Sequence, residues 1–290
     1  MIQMRHSFIC CCLPLFVFTL LPQYCYPQLI QITSSSANEY HPKWSPSGEI
    51  IAFTKRTASN VTIWLTPIHQ YKPDQIKTNC TGDLAFSWSP DGKKIVFDAY
   101  KENRPPSDLY IYNIADAKVD TLTHLAGPEN HPSWSPDGSK IAFTRGGDIW
   151  TINTSGRGLT QMTTHPSDDW HPAWSPDGSQ IVFTSDRSGN HDLWIIYLID
   201  GSIKQLTTDT ARDDRACWSP DASMIAFGSD RTGNFDIWII KLTDSSLEQI
   251  TSNPSFDSHP DWSPDGSQIA FASQRSGNLD VWIKEISVTR

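Results

Sequence analysis

The sequence is short of recognisable catalytic motifs. Its 290 residues contain no G-x-S-x-G elbow, no phosphate-binding glycine loop and no paired-cysteine metal motif, so nucleophile-elbow hydrolases and P-loop enzymes are excluded. Cysteine is scarce where it could staple a fold. Cys10, Cys11, Cys12 and Cys25 lie in or beside an N-terminal apolar segment, leaving only Cys80 and Cys217 beyond it. Basic charge is also short. The net charge is −9 with no long basic run, which removes the electrostatic basis for nucleic-acid binding. The one long apolar run, Phe8 to Leu21, is short for a membrane span. Preceded by Arg5 and His6, it suits a secretory signal, although Pro22-Gln23-Tyr24-Cys25-Tyr26 lacks the small residues of a cleavage site. The expected organisation is a signal peptide or N-terminal anchor over 1–26 and one domain over 27–290. Membrane contact is expected through that first segment alone.

What the sequence has in quantity is a single phrase. W-S-P-x-G, then I-A-F, then I-W recurs from Trp44, Trp88, Trp134, Trp174, Trp218 and Trp262, at spacings of 44, 46, 40, 44 and 44 residues. A period of that length, rich in strand formers and turns, is the mark of a propeller blade. In the last copy, His259-Pro260-Asp261-Trp262 reads as a strand ended by the turn Ser263-Pro264-Asp265-Gly266. Ile269-Ala270-Phe271 and Asp280-Val281-Trp282-Ile283 supply two further strands. Eleven of the twelve tryptophans fall in the phrase slot or the third-strand slot, which makes them core; Trp170 is the exception.

The apolar residue of a short Q-L-T strand stands twelve positions before each phrase tryptophan, at Ile32, Ile76, Leu122, Met162, Leu206 and Ile250. One copy therefore precedes the first phrase, and none follows Trp282. The expected fold is all-β: a six-bladed β-propeller of four-stranded blades, with residues from about Leu29 to Thr33 completing the last blade and closing the ring. Cys80 and Cys217 then stand on opposite sides, out of disulfide reach. Ala222 replaces the turn glycine of the fifth copy, which predicts a strained or altered turn.

An acid stands five residues before every phrase tryptophan: Glu39, Asp83, Glu129, Asp169, Asp213 and Asp257. Three before it stand His41, His131, His171 and His259, with Arg215 in the fifth copy and Ala85 in the second. Positions two apart share a face of a strand. If that strand is innermost, acids and histidines form two stacked rings at one mouth of the channel, and the carboxylates attract cations. Such a funnel would take a basic peptide or a metal; alternatively, acids repeated in every blade hold the blades together. Trp170 is the candidate single partner contact, because it alone breaks the tryptophan pattern and tryptophan is enriched at interface hot spots. Arg187, Arg231 and Arg275 are expected to bridge Asp192, Asp236 and Asp280 across their hairpins.

These repeats resemble those of the TolB-like six-bladed propellers, whose consensus reads close to W-S-P-D-G-x-x-I-A-F. The resemblance covers about residues 29–286 and implies a periplasmic or secreted binding scaffold that needs no cofactor and acts as a monomer on a protein or peptide of the cell envelope. TolB binds a peptidoglycan-associated lipoprotein through its propeller and carries an additional N-terminal α/β domain, for which this sequence leaves no room. An alternative also follows from the resemblance. Some related propellers are polysaccharide lyases that hold a channel-mouth divalent metal with histidines and acids, and the histidine ring could be read that way.

Overall fold

The computed structural model describes residues 29–286, apart from 59, 71, 79, 83–84 and 102–103. The expected export segment lies outside the described residues. Within them the chain is all-β and forms six antiparallel sheets, the blades of a propeller. The fourth blade is representative. Its strands Asp169–Trp174, Gln180–Ser185, Asp192–Tyr197 and Ile203–Gln205 pair in sequence order from the channel outward. The second departs from this pattern. Its inner edge is broken into Cys80–Thr81 and Phe86–Trp88, both paired with Lys94–Lys101.

The recurrent phrase explains the packing. Ile51, Ile95, Ile141, Ile181, Ile225 and Ile269 are fully buried, as are Phe53, Phe97, Phe143, Phe183, Phe227 and Phe271. Second strands are covered on both faces by neighbouring blades, so they read as unbroken apolar runs. One core cluster joins Val182, Leu193 and Ile195 to Ala216, Trp218, Ile225 and Phe227 of the next blade. Each W-S-P-D-G turn is clamped by its own polar atoms. The Ser135 hydroxyl donates to Asp137 at 2.7 Å and accepts from the Lys140 amide at 2.9 Å.

The fifth turn keeps the geometry of the others with alanine in the glycine position. Ala222 sits at φ 57°, and its amide still donates to Ser219 O at 2.9 Å. A Cβ in the left-handed region costs about 1 kcal/mol. Ala222→Gly is therefore expected to raise the unfolding free energy by about 0.5–1 kcal/mol, after allowing for the greater freedom of glycine in the unfolded chain. A denaturant titration that shows no gain would mean the turn carries no strain.

The ring closes as expected. Leu29–Gln31 is the outer strand of the last blade and pairs with Asp280–Glu285 in the register Leu29↔Lys284, Ile30↔Ile283, Gln31↔Trp282. First and last blades then share a core of Trp44, Ile51 and Phe53 against Ala270, Val281 and Ile283. Cys80 and Cys217 are both buried, and neither is in a disulfide, so no disulfide joins the described residues.

Candidate functional site

The innermost strands present a channel whose shape depends on one local irregularity. In five blades the ladder slips just before the phrase tryptophan. In the fourth, Trp170 faces Thr184 but Ala173 faces Val182, so two residues oppose one. The same slip occurs at Tyr40/Lys43, Asn130/Ser133, Asp214/Cys217 and Ser258/Asp261. This is a β-bulge, and a bulge re-aims side chains. At each of them the residue before proline or alanine takes a left-handed backbone: His41 φ 51°, His131 φ 55°, His171 φ 52°, Arg215 φ 56° and His259 φ 58°. A non-glycine residue held there costs about 1–3 kcal/mol, and such strain gathers at functional sites.

The bulge corrects the expectation of two stacked rings, because it breaks the alternation that would have put acid and histidine on one face. His41, His131, His171, His259 and Arg215 line a channel cavity of about 420 Å³. The acids do not. Glu39, Glu129, Asp169, Asp213 and Asp257 are all 0 % exposed. Asp83 lies outside the described residues. Carboxylates sealed in this way create no cation-attracting mouth.

The acids are instead held by cations from their own blades. Arg187 reaches both oxygens of Asp169 at 2.7 Å, Arg231 reaches Asp213 at 2.9 and 3.0 Å, and Arg275 reaches Asp257 at 2.7 Å. Each guanidinium also donates from Nε to a serine, Ser185, Ser229 or Ser273, and lies over a phenylalanine and a tryptophan of its blade. The expected bridges to Asp192, Asp236 and Asp280 are therefore corrected. Those carboxylates accept instead from the outer strand, as when Asp192 takes Gln205 Nε2 at 3.0 Å and Thr207 Oγ1 at 3.3 Å. A signal for the true pairing was present. The first and third copies lack the hairpin arginine and carry glutamate in place of aspartate. There the cation comes from the second strand, with Lys55 3.0 Å from Glu39 and Arg145 3.8 Å from Glu129.

The longer Arg145 contact leaves Glu129 poorly neutralised. Burial pushes its carboxyl up to about 7, against the Thr123 hydroxyl that donates to it at 2.7 Å. Between about pH 4.5 and 7 the folded chain holds a proton that the unfolded chain releases. Stability therefore falls as pH rises across that window, and the penalty persists above it. Glu129→Gln is expected to stabilise the protein at pH 8 by up to about 3 kcal/mol and to gain nothing below pH 4.5. Thermal melts of both proteins from pH 4 to 8 check this; a gain independent of pH would assign the effect to packing.

In the channel wall, the rings of His41 and His259 stand 4.2 Å apart and those of His131 and His171 4.0 Å apart. Burial, with the positive Arg215 nearby, holds His41, His131 and His259 well below the ordinary histidine range, so they are neutral. The sequence reading missed the partners of this ring. Asp214 accepts His171 Nδ1 at 2.8 Å and the Arg215 amide at 2.8 Å through one oxygen, and Arg215 Nη1 at 2.8 Å through the other. Burial opposes its charge, but His171 and Arg215 outweigh that and hold its carboxyl far below the usual carboxylate range. Lys43 and Asp261 pair at 2.8 Å across the first and last blades. Burial works against the Lys43 ammonium, yet the Asp261 carboxylate more than offsets it and raises the Lys43 pKa. Asp214 and Asp261 each occupy a blade-specific slot, so no repeat pattern marks them. Trp170 is half-buried, its ring 5.0 Å from that of His191, and it is not among the residues that line the cavity.

Solved structures show what this arrangement is similar to. A putative TolB from Agrobacterium tumefaciens superposes with a TM-score of 0.70 at 19% identity, over 90% of this chain and 97% of that one. TolB from Acinetobacter baumannii gives 0.67 at 21% identity, over 87% of this chain and 64% of that one. An oligogalacturonate lyase from Vibrio parahaemolyticus gives 0.64 at 13% identity, over 92% and 96%. At such identities these likenesses establish the fold. No curated protein matches by sequence. The TolB beta propeller domain model matches residues 27–148, 106–217 and 215–289, and the chain belongs to that family.

Proposed function

We propose that this protein is a non-catalytic binding scaffold, periplasmic or secreted, that takes a protein or peptide of the cell envelope at the histidine-lined mouth of its channel. One observation carries the reading. Five strained residues, His41, His131, His171, Arg215 and His259, are turned by bulges into a single cavity of about 420 Å³. Blade architecture does not require them, since the second blade carries Ala85 at the same position. Likeness to the TolB propellers supports the assignment to binding. Trp170, next in sequence to His171, supplies an aromatic contact for the same partner, and the buried acids hold the inner strands that present it.

The alternative, a metal-dependent polysaccharide lyase or hydrolase, finds a poor fit in these residues. The imidazoles stand in two separate pairs. Among the described residues, no three histidine, cysteine, aspartate or glutamate side chains converge on one point. No catalytic step through a metal is derived.

The test uses envelope proteins captured on the immobilised chain, compared with His131→Ala and Trp170→Ala. Loss of defined captured proteins by at least tenfold, with unfolding midpoints kept, is the expected result. Equal capture by all three would remove the channel mouth as the binding site.

A further inference from the structure

The channel wall is rich in side chains that can donate hydrogen bonds, with four histidines, Arg215 and Lys43 among them. The carboxylates of Asp261, which lines the cavity, and of Asp214, which is bonded to His171 and Arg215 of the lining, are both occupied. Asp214 accepts His171, the Arg215 amide and Thr184 Oγ1 through one oxygen and the Arg215 guanidinium through the other. Asp261 accepts Lys43 Nζ at 2.8 Å and the Trp44 amide at 2.8 Å. The Cys217 thiol, pushed up to about 12 by burial, carries no charge.

The imidazoles are oriented by their enclosed nitrogens. Nδ1 of His41, His131 and His259 is buried and has no hydrogen-bond partner among the described residues. An enclosed nitrogen with nothing to donate to costs least as a bare lone pair, since an unmade N–H bond carries the larger desolvation penalty. The ring proton of each neutral histidine then sits on Nε2, the nitrogen left on the channel side. Arg215 adds a permanent positive charge beside them. Three imidazole N–H groups and one guanidinium thus line one cavity.

We infer that this cavity is a carboxylate site, with Arg215 and the Nε2–H groups of His41, His131 and His259 as donors, and that the partner segment it takes is an acidic peptide. The source of the carboxylate rests on the peptide-binding reading above; the site itself rests on the donor geometry. A carboxylate is acceptor-only and matches a wall that is donor-rich. The inference reverses the preference expected from the sequence, in which ring acids would have selected a basic segment.

The experiment follows the histidine ring resonances of the full chain during titration with sodium acetate, and with acetamide at matched ionic strength. Two blocked peptides, Ac-Gly-Glu-Glu-Gly-NH2 and Ac-Gly-Gln-Gln-Gly-NH2, are titrated in parallel. Acetate is expected to move the His41, His131 and His259 signals and acetamide to leave them in place. The glutamate peptide should bind at least tenfold more tightly than its glutamine counterpart, and Arg215→Gln should bring that ratio close to one. If Arg215→Gln does not fold, His259→Gln is read instead, with a smaller loss of the ratio. Equal binding of both peptides would overturn the carboxylate inference and leave the peptide reading intact. Binding of acetate without either peptide would support the site and overturn the peptide reading. No response to acetate would overturn the inference outright.

Discussion

Replacing residues 29–33 by a glycine-serine stretch of equal length is expected to lower the unfolding midpoint by roughly 10–20 °C. The outer strand of the last blade is more than a ladder partner. Ile32 N and Thr33 N both donate to Val281 O, and the Val281 amide returns a 2.8 Å bond to Thr33 Oγ1. Gln31 Nε2 reaches Asp280 at 3.1 Å and Thr33 Oγ1 reaches it at 3.4 Å. The same latch holds the outer strands of unbroken blades, where Gln249 and Thr251 bind Asp236 at 3.1 and 3.2 Å. The replacement removes the three side-chain bonds, at about 1 kcal/mol net each, and the burial of Ile30 and Ile32, at about 1 kcal/mol each, a loss of about 5 kcal/mol. That is a large share of the 5–15 kcal/mol by which a domain is usually stable. Opening the ring also exposes a strand edge that would pair with other chains. Circular dichroism melts and light scattering read both effects. An unchanged midpoint would show that the shared core of the first and last blades closes the ring alone.

The second large effect is expected at Asp213. Asp213→Ala should cost about 3–5 kcal/mol, because it leaves the Arg231 guanidinium buried without its partner. Asp213 is 0 % exposed and the Arg231 side chain only 10 %. The pair is costly to break, yet it is not strongly stabilising. Burial pushes the Asp213 carboxyl up in spite of the Ser229, Arg231 and Thr207 contacts, so much of the mutual attraction is spent against desolvation. The double variant Asp213→Leu with Arg231→Met should therefore lie close to the wild type, since apolar groups of similar size suit the space between Phe227 and Trp238. Urea titrations of the single and double variants decide it. A double variant as unstable as the single one would mean that the ion pair itself holds the first strand in place.

Much of the fold was legible because a repeated blade writes its architecture six times. Turn chemistry, the buried Ile and Phe slots, and the displaced Q-L-T strand that predicts closure all follow from local rules, and the register Ile30↔Ile283 agrees with them. The candidate site was legible in part. His41, His131, His171, His259 and Arg215 are brought together as expected, while the acids are withdrawn from them. Period-two reasoning put Asp169 and His171 on one face, and an inserted residue at the bulge cancelled it. Arg187 was assigned to its near neighbour Asp192, although Asp169 lies eighteen residues away in the chain and 2.7 Å away in space.

By itself, then, the sequence determined the blade, the number of blades and the strand that closes them, because these depend on short-range turns and on an alternation that every copy repeats. The tertiary structure alone decided which polar side chains meet. Left-handed histidines, the sharing of Asp214 between His171 and Arg215, and the Lys43–Asp261 pair across the closure arise where separate blades converge on one axis. Contacts of that kind depend on the position of neighbouring strands around the ring, and no single repeat carries that information.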